Sequence, residues 1–170
     1  MSLEKYKEFL ERSLNEFEME FLEDTIAGIP TTIIKSDKLM NKIMPRLSLM
    51  PAPKMQFNVY IGEVNRVTKK GIEQYAKECY DYGKRNRKEL FTKKKGGYGC
   101  IAIQASTEYD DDALDFVLQK GKVKYGGAQV RGILDLKDMR LYYLEKSPFV
   151  GLLLFKQLRK FANTFLSLET

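Results

Sequence analysis

The stretch from Tyr98 to Ala105 constrains this chain most, because it is almost wholly apolar, with Cys100-Ile101-Ala102-Ile103 at its centre. A strand with one wet face alternates apolar and polar residues. A short continuous apolar run instead predicts a strand covered on both faces, as in the middle of an α/β sheet. Such a strand needs helices above and below it, and the flanking sequence offers them. Ile72, Tyr75, Ala76, Cys79 and Leu90 recur with helical spacing behind Thr68, a suitable N-cap for a helix running to about Phe91. Leu114, Phe116, Val117 and Leu118 supply a shorter helix over 110–120, which Gly121 ends.

The remaining elements follow from the same rules. Leu3, Tyr6, Leu10, Leu14, Phe17 and Phe21 predict an amphipathic helix over 3–22, with residues 1–28 peripheral to the sheet. Thr31 to Lys35 is a short β-branched strand, and a brief helix follows over 36–44 before Pro45. Pro51 and Pro53 hold 50–54 extended as a connector. Gln56 to Val67 reads as a strand, with Gly62 a bulge or bend. Strands over 122–125, 129–136 and 139–146 follow, the last two pairing as a hairpin about Lys137-Asp138. Ser147-Pro148 opens a final helix whose apolar residues cover more than half its circumference. The expected fold is one α/β (or α+β) domain over 1–170. It is a mixed central sheet in a three-layer sandwich, closed by a C-terminal β-hairpin plus apolar helix.

Function is constrained chiefly by what the chain lacks. Histidine is absent, which removes every Ser-His, Cys-His and His-metal arrangement. Two cysteines, Cys79 and Cys100, cannot build an all-Cys zinc site or a disulfide framework, and both fall in apolar stretches as core residues. No catalytic constellation is recognisable, which leans against an enzyme. Met1-Ser2-Leu3 runs straight into Glu4, Lys5, Lys7 and Glu8, unlike a secretory leader. The most apolar run, Phe149 to Phe155, is far too short to span a bilayer. A cytoplasmic protein is the expectation.

The candidate sites are set by charge. The formal net charge is +6 although the N-terminal segment is acidic, so positive charge gathers in the middle of the chain. Lys84, Arg85, Arg87, Lys88, Lys93, Lys94 and Lys95 form a basic run leading into Gly96-Gly97-Tyr98-Gly99. Cations there could neutralise phosphates while Tyr98 stacks on a base, which makes nucleic acid or another polyanion the expected partner. Cations at a helix C-terminus also complement the helix dipole, and the glycine loop lacks phosphate-binding spacing. Just after the central strand, Glu108, Asp110 and Asp112 could hold Mg²⁺, or cap and charge a helix start. No other cofactor is suggested. Asp135 and Glu145-Lys146 only superficially resemble a metal-nuclease pattern, since adjacent strand residues point to opposite faces. The same rule splits Tyr142 from Tyr143, which stand near Arg140 and Arg131 in sequence. Lys156, Arg159 and Lys160 on the last helix could meet a membrane surface, and its broad apolar stripe could form a homodimer through 148–167. The leading expectation is a non-catalytic binding domain for an anionic ligand. A metal-dependent enzyme on a phosphorylated or anionic substrate and an oligomeric assembly protein are the alternatives.

Overall fold

A computed structural model describes residues 2–17, 19–35, 56–86, 98–119, 122–124, 127–144 and 152–167. The apolar run forms a nine-residue strand, β4 (Tyr98–Ser106), buried along its whole length. It lies between two parallel neighbours, β3 (Gln56–Glu63) and β6 (Gly127–Asp135), with Ile101 opposite both Val59 and Val130. Two helices make the parallel crossovers, α2 (Lys69–Arg85) from β3 to β4 and α3 (Asp111–Leu118) from β4 to β6. Both pack on one face of the sheet. Ile72, Tyr75, Ala76, Cys79 and Tyr80 of α2 and Ala113 and Val117 of α3 meet Tyr60, Tyr98, Cys100, Ala102 and Ile133 there.

The opposite face is covered by the two ends of the chain. Helix α1 (Leu3–Leu14) buries Leu3, Tyr6, Leu10 and Leu14. Helix α4 (Leu152–Phe161), continued by a wider π turn at Ala162–Leu166, buries Phe155, Leu158, Phe161, Ala162, Phe165 and Leu166. Together they cover Phe57, Val59, Ile61, Ile101, Ile103, Val130 and Leu134. The layers are therefore helices, mixed sheet, helices, as the alternation in sequence predicts. Within residues 1–28, expected to be peripheral, α1 contributes to the core.

Antiparallel strands finish both sides. β1 (Glu20–Ile26) and β2 (Ile29–Lys35) form a hairpin, and β2 pairs with β3. On the far side, β6 is shared by two short strands, β5 (Lys122–Lys124) along its first half and β7 (Arg140–Tyr143) along its second. The β6–β7 hairpin matches the expected one.

Three further expectations are corrected. The first helix ends at Leu14, with a 3₁₀ turn at Asn15–Phe17, and the segment expected as its continuation is β1. Phe21 continues the helical spacing, but Leu22 beside it is also apolar, and the two pack against opposite faces of the sheet. Ala27 (φ 54°) and Gly28 (φ 77°) make the two-residue turn that folds β1 onto β2. Secondly, Gly62 is no bulge, because it pairs in register with Thr31 on one side and Gln104 on the other. A Cβ there would stand 2.8 Å from the Tyr75 hydroxyl and 2.7 Å from Ile29 Cγ2, so glycine admits the helix. Thirdly, the strand from Gln56 stops at Glu63, short of the expected Val67. The brief helix over 36–44, the connector at 50–54, Leu90, Gly121 and Ser147-Pro148 lie outside the described residues.

The N-cap expectation at Thr68 holds, since its Oγ1 accepts a hydrogen bond from the Gly71 amide at 3.1 Å. Thr68→Ala is expected to lower stability by about 1 kcal/mol. Urea denaturation reads this loss, and an unchanged midpoint would mean the cap contributes nothing.

Candidate functional site

The carboxyl ends of the parallel strands place most of the acidic candidates. A cleft of about 500 Å³ lies there, lined by Arg66, Thr107, Glu108, Tyr109, Asp135 and Lys137. The loops leaving β3 and β4 are laced together beside it. The Val67 amide donates to the Glu108 carbonyl at 2.9 Å and the Asp110 amide to the Val67 carbonyl at 3.0 Å. The Ser106 hydroxyl donates to the Asn65 carbonyl at 2.9 Å and accepts from the Glu108 amide at 3.0 Å.

The charges of this cleft are largely committed to one another. Arg66 Nε donates to Asp110 Oδ1 at 2.7 Å and its guanidinium stands 3.7 Å from Glu108 Oε2. The hydrogen bond to Asp110 raises the Arg66 pKa above its ordinary value. Asp135 is buried, its two oxygens accepting from the Tyr109 hydroxyl at 3.1 Å and the Lys137 amide at 2.8 Å. The Tyr109 hydroxyl is held above the usual phenol range, first by Tyr142 and then by burial and Asp135.

Glu108 and Asp110 thus share Arg66, while Asp112 is exposed in the first turn of α3. Among the described residues, no three Asp, Glu or Cys side chains gather as a metal would require. Asp110 occupies the N-cap of α3, but its carboxylate makes no cap hydrogen bond because Arg66 takes it. The topology explains the bracing. Ligand crevices in open sheets form where the strand order reverses, and β3, β4 and β6 instead succeed one another in a single direction.

The basic run is described only at its start. Lys84 and Arg85 are exposed at the end of α2, with Lys84 Nζ 5.7 Å from the centre of the Tyr80 ring. Arg87, Lys88, Lys93, Lys94 and Lys95 lie outside the described residues. Tyr98, expected to offer a stacking face beside this run, is instead fully enclosed. As the first residue of a strand covered on both faces, it puts its hydroxyl 2.7 Å from that of Tyr60, beneath Gly83 of α2.

A second concave surface joins residues that are far apart in sequence. It is a groove of about 660 Å³ between β7 and α4. Helix α4 builds one wall by its own periodicity. The stripe at 155, 158, 161, 162, 165 and 166 turns into the core, which leaves Lys156, Lys160, Asn163 and Thr164 outward at spacings of four, three and one. Strand β7 borders it with side chains from both of its faces, Leu141 and Tyr143 on the α4 side of the sheet and Tyr142, with Arg140 beside it, on the α2–α3 side. The Arg140 guanidinium lies 5.1 Å from the centre of the Tyr142 ring, close enough for a cation–π contact. Burial raises the Tyr143 pKa, while Arg159 opposes that rise. Among the described lining residues Arg140, Lys156, Arg159 and Lys160 are cations, and none is a carboxylate.

The chain was compared with protein-family models, curated proteins and solved structures, and it matches none. The geometry alone therefore ranks the candidates. The strand-end cleft pairs its charges internally, whereas the β7–α4 groove gathers one sign. Arg131, near Tyr142 and Tyr143 in sequence, does not join the groove. It is buried on the other sheet face with its guanidinium 3.9 Å from the centre of the Phe116 ring.

Of the apolar residues that suggested a homodimer through 148–167, Phe155, Leu158, Phe161, Ala162, Phe165 and Leu166 are buried within this chain. No helix among the described residues is long and apolar enough to cross a membrane. Sequence reasoning found each half of the groove separately, in the Arg140–Tyr143 segment and in the cations of the last helix. It missed that the two halves meet, because no local pattern specifies which edge of the sheet a helix flanks.

Proposed function

We propose that this protein is a binding domain for an anionic ligand, which it takes in the groove between β7 and α4. One observation carries the reading: Arg140, Lys156, Arg159 and Lys160 surround a single concave surface without a carboxylate among its described lining residues. Cations gathered in a cleft raise the local concentration of anions and speed their arrival. At the strand-end cleft Arg66 is already neutralised by Asp110 and Glu108, so the same attraction is cancelled locally.

Heparin titrated by isothermal calorimetry at low salt tests the reading. Binding is expected for the unaltered protein, and Lys156→Glu combined with Lys160→Glu should weaken it by about 10-fold or more, since charge reversal both removes attraction and adds repulsion. Lys84→Glu with Arg85→Glu, at the far end of α2, should change affinity by less than about 3-fold, as screening over a Debye length of about 10 Å predicts. No heat for any variant would remove the proposal. A larger loss from the α2 pair than from the α4 pair would remove the groove as the site.

A further inference from the structure

Resting on that anion-binding reading, we infer that the ligand is an acidic peptide segment. It adds to the sheet as a further strand along the outer edge of β7, with its carboxylates turned toward α4. The course of the groove points to this partner. Leu141 and Tyr143 in its lining belong to the sheet face that α4 covers, while Leu118 and Tyr142 belong to the α2–α3 face. A surface that touches both faces of one strand passes around an edge of that strand. The inner edge of β7 is taken by β6, paired from Arg140 with Asp135 to Tyr143 with Gly132. The groove therefore follows the outer edge, and among the described residues no strand pairs with β7 there. An outer strand edge presents backbone N–H and C=O groups that a further extended chain can satisfy.

The side chains around that edge set the chemistry of the added strand, whose residues point alternately to the two faces. On the α4 side they meet half-buried Leu141 and Tyr143 and the exposed cations Lys156 and Lys160. Glutamate suits both, its methylene stem against the first pair and its carboxylate toward the second. The spacing agrees. Alternate residues of a strand stand about 6.7 Å apart, and Lys156 and Lys160, four apart on a helix, are separated by about 6 Å of axis. The intervening residues turn to the α3 side. Tyr142 is engaged there by Tyr109 and Arg140, so half-buried Leu118 is the contact, and it favours an apolar side chain. The expected pattern is acidic and apolar residues in alternation.

Other occupants match only part of this surface. Nucleic acid meets the lysines, but its backbone lacks the amide donors and carbonyl acceptors that pair with a strand edge. An anionic bilayer is flat where the groove is concave. Membrane-surface helices also turn an apolar face outward, whereas the described outward residues of α4 are Lys156, Lys160, Asn163 and Thr164. A second copy pairing β7 with β7 across a two-fold axis would bring the Lys156 and Lys160 of both copies to one seam, where they repel.

The test is fluorescence anisotropy with a labelled peptide of four Glu-Val repeats, blocked at both ends, whose β-branched valines favour the extended state. A copy N-methylated at every residue keeps all the carboxylates but donates no backbone hydrogen bond. The parent peptide should bind, and the methylated copy should bind at least about 10-fold more weakly, as the loss of several hydrogen bonds predicts. An oligouridylate of equal charge should compete at least about 10-fold less effectively than unlabelled parent peptide, for the same reason. Lys156→Glu combined with Lys160→Glu should weaken the parent peptide by about 10-fold or more. Light scattering of the protein alone should show no self-association.

Equal binding of the methylated copy would overturn strand addition and leave the anion reading intact. So would a peptide that fails where heparin binds. Oligouridylate competing as well as the parent would replace the peptide with nucleic acid. A dimer that the peptide dissociates would assign the edge to a second copy. Failure of heparin and every other anion to bind would overturn both readings. The methylation and competition arms use the unaltered protein, so they decide the matter even if the charge-reversed variant folds poorly.

Discussion

Replacing Gly83 with alanine is expected to lower the stability of this protein by about 2–3 kcal/mol, although alanine is the better helix former. In an exposed helix interior the change would gain about 1 kcal/mol, because glycine loses more backbone freedom on folding. Gly83 is buried in α2, and a Cβ there would collide with the hydroxyl and ring carbon of Tyr98 and stand 2.5 Å from the Tyr60 hydroxyl. Neither hydroxyl can retreat easily. They hydrogen-bond each other at 2.7 Å, and Asn58 Nδ2 donates to Tyr60 at 3.0 Å from the strand beneath. Either the helix lifts from the sheet or the buried tyrosines leave their partners, and overpacking of this kind costs about 1–3 kcal/mol or more.

Calorimetric melting should show the variant about 5–10 °C below the unaltered protein, given about 2–4 °C per kcal/mol for chains of this size. Adding Tyr98→Phe should recover part of the loss by removing the colliding oxygen. A Gly83→Ala protein melting at or above the unaltered one would show that α2 does not sit this close.

That collision also explains why Tyr98 misleads as a sequence feature. Beside Lys93, Lys94 and Lys95 and among glycines it looks like a surface ring, yet the apolar run it opens already demands cover on both faces. The nine-residue burial of β4 was legible because a continuous apolar strand has no other stable setting in water. β1 was harder to read, since Phe21 extends the helical spacing of α1. Its identity is decided by the partner strand Ile29–Lys35 and by a turn with both central residues at positive φ. The acidic cluster was legible as a strand-end feature, but its neutralisation depends on Arg66, more than forty residues upstream in a loop tied to Glu108 and Asp110. The groove was least legible. Leu141 and Tyr143 lie on a strand, Lys156 and Lys160 on a helix, and only the packing of α4 against the sheet face that Leu141 and Tyr143 share brings them to one groove.

The largest expected effect lies on that same sheet face, at Tyr6. Its ring is fully buried among the residues that α1 and α4 bring together, and its hydroxyl donates to the Leu166 carbonyl in the π turn. The first turns of α1 are thereby fixed to the end of α4. Tyr6→Phe removes the hydroxyl and leaves that carbonyl without this donor, at an expected loss of about 1–2 kcal/mol. Tyr6→Ala empties a large aromatic volume as well, and deletions of this kind cost about 3–5 kcal/mol before the lost hydrogen bond is counted. A domain of ordinary stability has about 5–15 kcal/mol in total, so the alanine variant should be partly unfolded well below the melting temperature of the unaltered protein.

Urea denaturation followed by far-ultraviolet circular dichroism separates two outcomes. If α1 and α4 are integral to the core, the midpoint falls sharply while the transition stays single and its slope is kept. If α1 only rests against the sheet, a small early transition splits off and the main midpoint holds, which would contradict the core role assigned to Leu3, Tyr6, Leu10 and Leu14. The first outcome is expected, because Phe57, Ile61 and Ile101 of the central strands share one apolar cluster with those four side chains. The groove depends on that cluster too: α4 holds Lys156 and Lys160 opposite β7 only while its apolar face stays seated against the sheet.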